Sequence, residues 1–192
     1  MDVISPDIVF LLIAVAALAG LIDAIAGGGG LLTVPALLWA GLTPLQSLAT
    51  NKCQSVFGAL TATVHFARRG QLQVRSLLPA VVLTFGGATL GAWSVERLTN
   101  DLLQTLIPVL MILFALYFLL SPRVSDLDTR QRLPIALFGL TVGAGVGFYD
   151  GFFGPGTGSF FVIAFVALLG YNLRRATAGA KLLNFTSKLA AL

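Results

Sequence analysis

Two stretches decide how this chain folds. In the first, Gly20-Leu21-Ile22-Asp23-Ala24-Ile25-Ala26 runs into Gly27-Gly28-Gly29-Gly30; in the second, Gly147-Phe148-Tyr149-Asp150-Gly151-Phe152-Phe153 runs into Gly154-Pro155-Gly156-Thr157-Gly158. Each is an apolar run that carries one aspartate and then breaks on glycine. The apolar limbs that follow, roughly 31–41 and 158–169, would rise only about 15–18 Å as helices, half the thickness of a bilayer. Short limbs behind Gly/Pro breaks are the sequence mark of discontinuous helices, the kind that line binding sites in membrane transporters.

Working outward, the two stretches prove to be copies. The first limb ends at a Gly41 turn and is followed by Ala49-Thr50-Asn51-Lys52; the second ends at a Gly170 turn and is followed by Ala178-Gly179-Ala180-Lys181. Asp150 lies 127 residues after Asp23, and Lys181 lies 129 after Lys52, so two residues are inserted in or near the second limb. Three spans separate the copies, an odd number, which turns the second upside down: an inverted-topology repeat. The expected organisation is a first repeat over 1–122, a hairpin plus three spans, and a partial second, inverted repeat over 123–192, a hairpin plus one span. Carrying the offset forward from Leu120 puts a natural end roughly near residue 250, so a C-terminal truncation of two helices is expected.

Composition agrees. Hydrophobic residues make up 57% of 192 positions and charged ones 10%, with a mean hydropathy of +0.92. A soluble domain carries roughly 25% charged residues, so most of this surface faces lipid. Backbone polar groups in lipid must be satisfied within the segment, which makes the fold all-α: a polytopic transmembrane helical bundle with broken, re-entrant hairpins. The expected helical runs are 8–26, 31–41, 46–66, 74–95, 102–120, 133–151, 158–169 and 175–192, of which 74–95 and 102–120 are clear spans, free of charge from Leu77 to Val95 and from Leu102 to Leu120, the second expected to kink at Pro108. Asp2 and Asp7 precede the first run without a basic residue, so it is expected to be retained and not cleaved as a signal peptide. Arg68, Arg69 and Arg75 in one loop, and Arg123, Arg130 and Arg132 in another, place both on the cytoplasmic side, with Arg174 and Arg175 landing there too and the N-terminus outside.

The same numbers exclude other chemistry. One cysteine, Cys53, forms no internal disulfide, and one histidine, His65, builds no zinc or haem cluster, so no cofactor and no metal are expected. Neither a Ser/His/Asp grouping nor a phosphate-binding Gly-Lys-Ser/Thr is present, which argues against an enzyme and names no catalytic residue. The net charge of +4 sits in short clusters between spans and is no nucleic-acid footprint.

Four charges remain embedded in apolar sequence: Asp23, Lys52, Asp150 and Lys181. At bilayer depth each costs at least about 2.5–3.5 kcal/mol on insertion scales. Such charges serve either a substrate or proton pathway or a structural purpose, neutralising one another or locking the hairpins. The half-helix starts, Gly28, Gly29, Gly30 and Leu31 in one copy and Gly156, Thr157 and Gly158 in the other, offer free amides and a positive dipole end to an anion. Asn51, Gln54, Thr157 and Asn184 either hydrogen-bond a ligand or satisfy freed backbone. The stripe Gly139, Gly143, Gly147, Gly151, with Gly87 and Gly91, reads as close helix packing. Trp39, Trp93, Tyr117 and Tyr171 read as anchors at the membrane interface, and His65 as an interfacial residue.

The stretch 20–30, Ala49-Thr50-Asn51-Lys52 and the stretch 147–156 closely resemble the TauE/SafE family of sulfite and organosulfonate exporters, over residue 8 to the end. The resemblance implies a multi-pass protein of the bacterial inner (plasma) membrane that exports small anions such as sulfite or related sulfur compounds. It places the family's signature hairpins on 23–35 and 150–159 and its Asn-Lys element on Asn51-Lys52. Where the family reads Thr-Ser-Asn, this chain has Thr186-Ser187-Lys188; the extra lysine strengthens an anion site, shifts specificity or snorkels to the interface. The combined reading is a secondary transporter working by alternating access. A small anion would be bound by residues 28–31, Asn51, Lys52, residues 156–158, Lys181 and Asn184, with Asp23 and Asp150 orienting the lysines or carrying a coupling proton. The lipid bilayer is the other expected partner, and a homo-oligomer is an admissible assembly. The rival readings are a proton- or sodium-coupled importer of another solute and a non-transporting membrane scaffold.

Overall fold

The structure, a computed structural model, describes residues 5–120 and 130–192, without the side chains of Ala26 and Phe118. Asp2, Arg123 and the boundary between 122 and 123 lie outside the described residues. The fold is all-helical. In chain order the elements are α1 (Pro6–Ala26), α2 (Gly30–Trp39), α3 (Pro44–Arg68), α4 (Val74–Val95), α5 (Asn100–Leu120), α6 (Ile135–Phe138), a π-helical turn (Gly139–Gly143), α7 (Ala144–Phe152), α8 (Thr157–Leu169) and α9 (Leu173–Ala190).

Among the described residues, four stretches are long and apolar enough to cross a membrane: Pro6–Ile25, Val74–Val95, Asn100–Tyr117 and Ile135–Phe152. Their large side chains lie bare on the surface, with Phe10 72%, Ile25 76% and Leu119 80% exposed, as lipid-facing residues must be. Helices α2 and α8 are the two short limbs, of 10 and 13 residues. The long helices α3 and α9 are less apolar, because each turns polar residues inward: Asn51 and Lys52 on α3; Lys181, Asn184, Ser187 and Lys188 on α9 are all buried.

Local chemistry fixes the breaks and turns at matching places. Helix α1 begins on Pro6, whose missing N–H costs nothing in a first turn, and ends where Gly27 adopts φ 74° and donates its N–H to the Asp23 carbonyl at 2.9 Å. Gly154, 127 residues on, holds φ 100°. The turns at Gly41 (φ 91°) and Gly170 (φ 68°) again need left-handed backbone. Helix α3 then starts on a capping box, with Gln46 N–H donating to Thr43 Oγ1 at 3.4 Å and Thr43 N–H to Gln46 Oε1 at 3.0 Å. Helix α9 starts on Asn172, whose Oδ1 accepts from Arg175 N–H at 2.9 Å.

The bundle's axis is the contact between α4 and the 135–152 helix. A Cβ added to Gly147 would lie 2.6 Å from the Thr84 carbonyl oxygen, and one on Gly139 would lie 3.0 Å from Ala80 Cα. On Gly151 it would strike the Ala88 carbonyl; on Gly87 and Gly91 it would strike those of Ala144 and Phe148. The stripe therefore does what its spacing predicts: it removes side chains so that two backbones touch. A four-residue repeat outruns a 3.6-residue turn, and the widened π-turn at Gly139–Gly143 returns the stripe to the face of α4.

The two hairpin turns sit at opposite ends of α4. Leu38 and Leu45, which flank Gly41, pack in one cluster with Val95 and Leu98 at its C-terminal end. Leu169 and Tyr171, which flank Gly170, pack in another with Leu72 and Leu77 at its start. That second end also gathers arginine-bearing segments: Arg175 Nη2 donates to Gln73 Oε1 at 2.9 Å, and Arg132 N–H donates to the Leu168 carbonyl at 3.0 Å. Of the four residues expected at the interface, Trp39 (71% exposed), Trp93 and Tyr117 are exposed, with the Arg97 guanidinium 3.4 Å over the Trp93 ring. Tyr171 departs from expectation. It is buried, stacked 5.6 Å from the Phe165 ring with Arg175 over its other face, because the Gly170 turn folds it back into the core.

Candidate functional site

The two glycine breaks meet. A Cβ on Gly27 would lie 2.6 Å from Gly158 Cα, and one on Gly30 would lie 3.1 Å from Pro155 Cα and 3.1 Å from Asn51 Nδ2. Only glycine allows backbones this close. The amides there are largely used within the hairpins. Gly29 N–H points at Asp23 Oδ1 at 3.4 Å, Leu31 N–H donates to Gly28 O at 3.0 Å, and Thr157 N–H and Ser159 N–H donate to Gly154 and Gly156 carbonyls.

The lysines cross between the copies. Lys52 of α3 donates from Nζ to the carbonyls of Asp150, at 2.5 Å, and Gly151, at 2.6 Å, at the C-terminal end of α7. Lys181 of α9 donates to the carbonyl of Asp23, near the C-terminal end of α1. A helix C-terminus presents unpaired carbonyls and the negative pole of the dipole, and an ammonium group answers both. Each lysine thus caps the broken helix of the other copy. Lys52 is 4% and Lys181 is 4% exposed, so water does not compete for either.

A third buried lysine joins them. Lys188, 5% exposed, donates to Ser55 Oγ at 2.9 Å and stands within electrostatic reach of both Lys52 and Lys181. Lys181, Asn184 and Lys188 share one face of α9 at i, i+3 and i+7. Asn184 is fully buried, and neither its Oδ1 nor its Nδ2 has a hydrogen-bond partner in the protein. Orphaning such an amide costs about 1–3 kcal/mol. Of the other polar residues, Gln54 donates to the Ala16 carbonyl at 3.0 Å, satisfying α1 backbone, and Thr157 donates toward Asp150 Oδ1 at 2.7 Å and Gly154 O at 2.6 Å.

Between α1, the start of α2, and α3 lies a small cavity of about 50 Å³, lined by Asp23, Gly29, Gly30, Asn51, Ser55 and Gly58 among others. It is well above the roughly 10–15 Å³ that one water needs. With every group ionised, the buried set among the described residues (Asp23, Asp150, Lys52, Lys181, Lys188) carries one net positive charge. Such an arrangement can neutralise a small anion; it holds no grouping of His, Cys, Asp and Glu suited to a metal ion among the described residues.

The structure brings the two glycine breaks and the lysines named from sequence together, but the amides of Gly29, Leu31 and Thr157, expected to be free for an anion, are taken up within the hairpins. Reading the sequence did not find Ser55, Ser187 or the crossing of the lysines. The helical spacing from Lys181 to Lys188 was the available signal for the third lysine.

Comparison with known proteins gives a consistent picture. The profile described as sulfite exporter TauE/SafE matches residues 12–192. A probable membrane transporter protein, YfcA, of Escherichia coli (strain K12) is 48% identical over 189 residues, covering 98% of this chain and 70% of that protein. A probable membrane transporter protein, ORF9, of Sinorhizobium sp is 48% identical over 182 residues, 95% of this chain and 69% of its own length. A probable membrane transporter protein of Haemophilus influenzae is 46% identical over 187 residues, 97% and 73%. No solved structure matches the chain.

Proposed function

The chain belongs to the sulfite exporter TauE/SafE family of membrane transporters, not enzymes, and from that premise we propose that it moves a small anion, sulfite or a related sulfur oxyanion, out across the bacterial inner membrane by alternating access. The observation that carries this reading is the charge count at the breaks: three buried lysines face two buried aspartates, with an orphaned Asn184 amide among them. A bound monoanion would balance the charge and occupy the amide.

The placement of the Gly41 and Gly170 turns at opposite ends of α4 supports an inverted pair of hairpins, one entering from each face. The Gly27–Gly158 contact has no side chain to interlock, which suits two hairpins that must shift past one another. Arginine-bearing segments gathered at one end support that end as cytoplasmic and the N-terminus as outside.

The test is efflux of sulfite from proteoliposomes, with Lys188→Asn as the discriminating variant. Removing the surplus charge without emptying a helix cap should weaken sulfite binding by about tenfold, near 1.4 kcal/mol, while leaving the fold intact. Transport unaffected by Lys188→Asn would remove the surplus-charge argument. Flux that follows a sodium gradient in place of the anion gradient would support a cation-coupled importer, and no flux together with no ligand-dependent thermal shift would support a scaffold.

A further inference from the structure

The two copies of the hairpin are not equivalent at their aspartates. In the second copy both carboxylate oxygens of Asp150 are occupied: Thr157 donates to Oδ1 at 2.7 Å, and Ser187 donates to Oδ2. Asp150 is 2% exposed. Two hydroxyls, one at each oxygen, fix where that carboxylate points. The offset of 127 residues carries Thr157 back onto Gly30, and the offset of 129 carries Ser187 back onto Gly58. Neither counterpart has a hydroxyl to offer.

At Asp23 those missing side chains leave space. Gly30 and Gly58 line the cavity of about 50 Å³ into which Asp23 faces, alongside Asn51 and Ser55. Among the described residues the Asp23 carboxylate accepts a single hydrogen bond, from Gly29 N–H at 3.4 Å, at the edge of what counts as one. The charged groups that face it come from α9: Lys181, on its own main-chain carbonyl, and Lys188, through Ser55. From α3, Lys52 is turned to the Asp150 end of α7; α2 carries no charged residue.

We infer that the duplicated aspartates have divided their work: Asp23 takes up and releases the proton that accompanies transport, and Asp150 is a fixed positioning group. The inference rests on the transporter reading and deepens it. A hydronium ion reaching the cavity gives its proton to the Asp23 carboxylate and leaves as water; the reverse step on the other side returns it. Protonating Asp23 removes one negative charge from beside Lys181, so the anion is held more tightly, and by linkage the bound anion favours the proton. This gives one proton and one anion a shared site without any contact between them.

The test is an infrared pH titration of carboxyl bands in the full chain reconstituted in lipid nanodiscs, with sulfite added as the probe anion. Apart from the bands of the exposed carboxyls such as Asp7, Glu96 and Asp101, one buried carboxyl band is expected to protonate in the unsubstituted protein, with sulfite increasing its amplitude at fixed pH, and every outcome below concerns that band. It should be lost in Asp23→Asn and persist in Asp150→Asn. In Ser187→Ala, which keeps both carboxylates, the band should likewise persist if Asp150→Asn does not fold. Gly58→Ser, whose Cβ meets nothing within 4 Å, installs the missing donor and should remove the band from the accessible pH range. A band that survives Asp23→Asn, a band that vanishes with Asp150→Asn while Asp23→Asn keeps it, or no titrating band at all overturns the inference. A band that behaves as expected while sulfite neither enlarges it nor crosses the membrane leaves Asp23 as the titrating group and sinks sulfite as the cargo, so the two readings fail separately.

Discussion

Lys52 and Lys181 each end their side chains on main-chain carbonyls of a helix that belongs to the opposite copy. Cutting either lysine back to methionine keeps the length and apolar stem but removes a charged donor: the Asp150 and Gly151 carbonyls lose Lys52, and the Asp23 carbonyl keeps only Gly27 N–H. Each change should cost about 1–3 kcal/mol, visible as a lower thermal midpoint of the chain in detergent; an unchanged midpoint would mean water replaces the cap. The breaks should be less forgiving. Gly27→Ala adds a Cβ 2.6 Å from Gly158 Cα at φ 74°, so both space and backbone oppose it, whereas Gly58→Ala meets nothing within 4 Å and should unfold at the same temperature as the parent. The four buried charges were visible in the sequence because a charge in a lipid-facing run is an anomaly. Which aspartate belonged with which lysine was not visible: spacing within a copy cannot report a contact made between copies. Ser187 and Ser55 were hidden for another reason. A hydroxyl in a membrane helix ordinarily bonds its own preceding turn, as Thr63 does to Ala59 at 2.7 Å; Ser55 and Ser187 do so too, to the Lys52 and Asn184 carbonyls, so nothing in composition marks that Ser55 also accepts from Lys188 and that Ser187 also meets Asp150.

Among the elements, α4 and the 135–152 helix are held by the absence of side chains. Gly147→Leu would drive four carbons into Thr84 backbone and should abolish a monodisperse, folded chain, as read by size-exclusion chromatography and circular dichroism. Gly145→Leu, two residues away, meets nothing within 4 Å and should be tolerated. The glycine spacing made this pairing legible from sequence, since four glycines on one face have little other use in an apolar helix. The π-turn at Gly139–Gly143 was not legible, because it answers a mismatch of pitch that appears only once two helices are laid together. Helix α3 runs from Pro44 to Arg68, two residues longer at each end than its apolar run, since its capping box and its terminal arginine lie outside the hydrophobic signal that delimits a run.

For the whole molecule, the arrangement of ends makes a claim about sides. Arg69 is exposed at the arginine-bearing end and Thr99 is exposed where α4 passes to α5. With Cys53 replaced, Arg69→Cys should react with an impermeant thiol reagent from the cytoplasmic face only, and Thr99→Cys from the other face only; labelling of both from one side would dismantle the proposed topology. Helix number and the two half-length limbs were readable from hydropathy and glycine. The packing of the two breaks against each other was not, because it depends on how the helices between them carry the second break in space. The crossed caps also bear on how the chain is made. Lys181 reaches a carbonyl 158 residues behind it, and Lys52 one 98 residues ahead. The end of α1 must therefore wait in the insertion machinery or the membrane, its Asp23 carbonyl met by Gly27 N–H alone, until α9 has been synthesised. The first hairpin leaves the ribosome well before the second, yet becomes secure only when the second arrives.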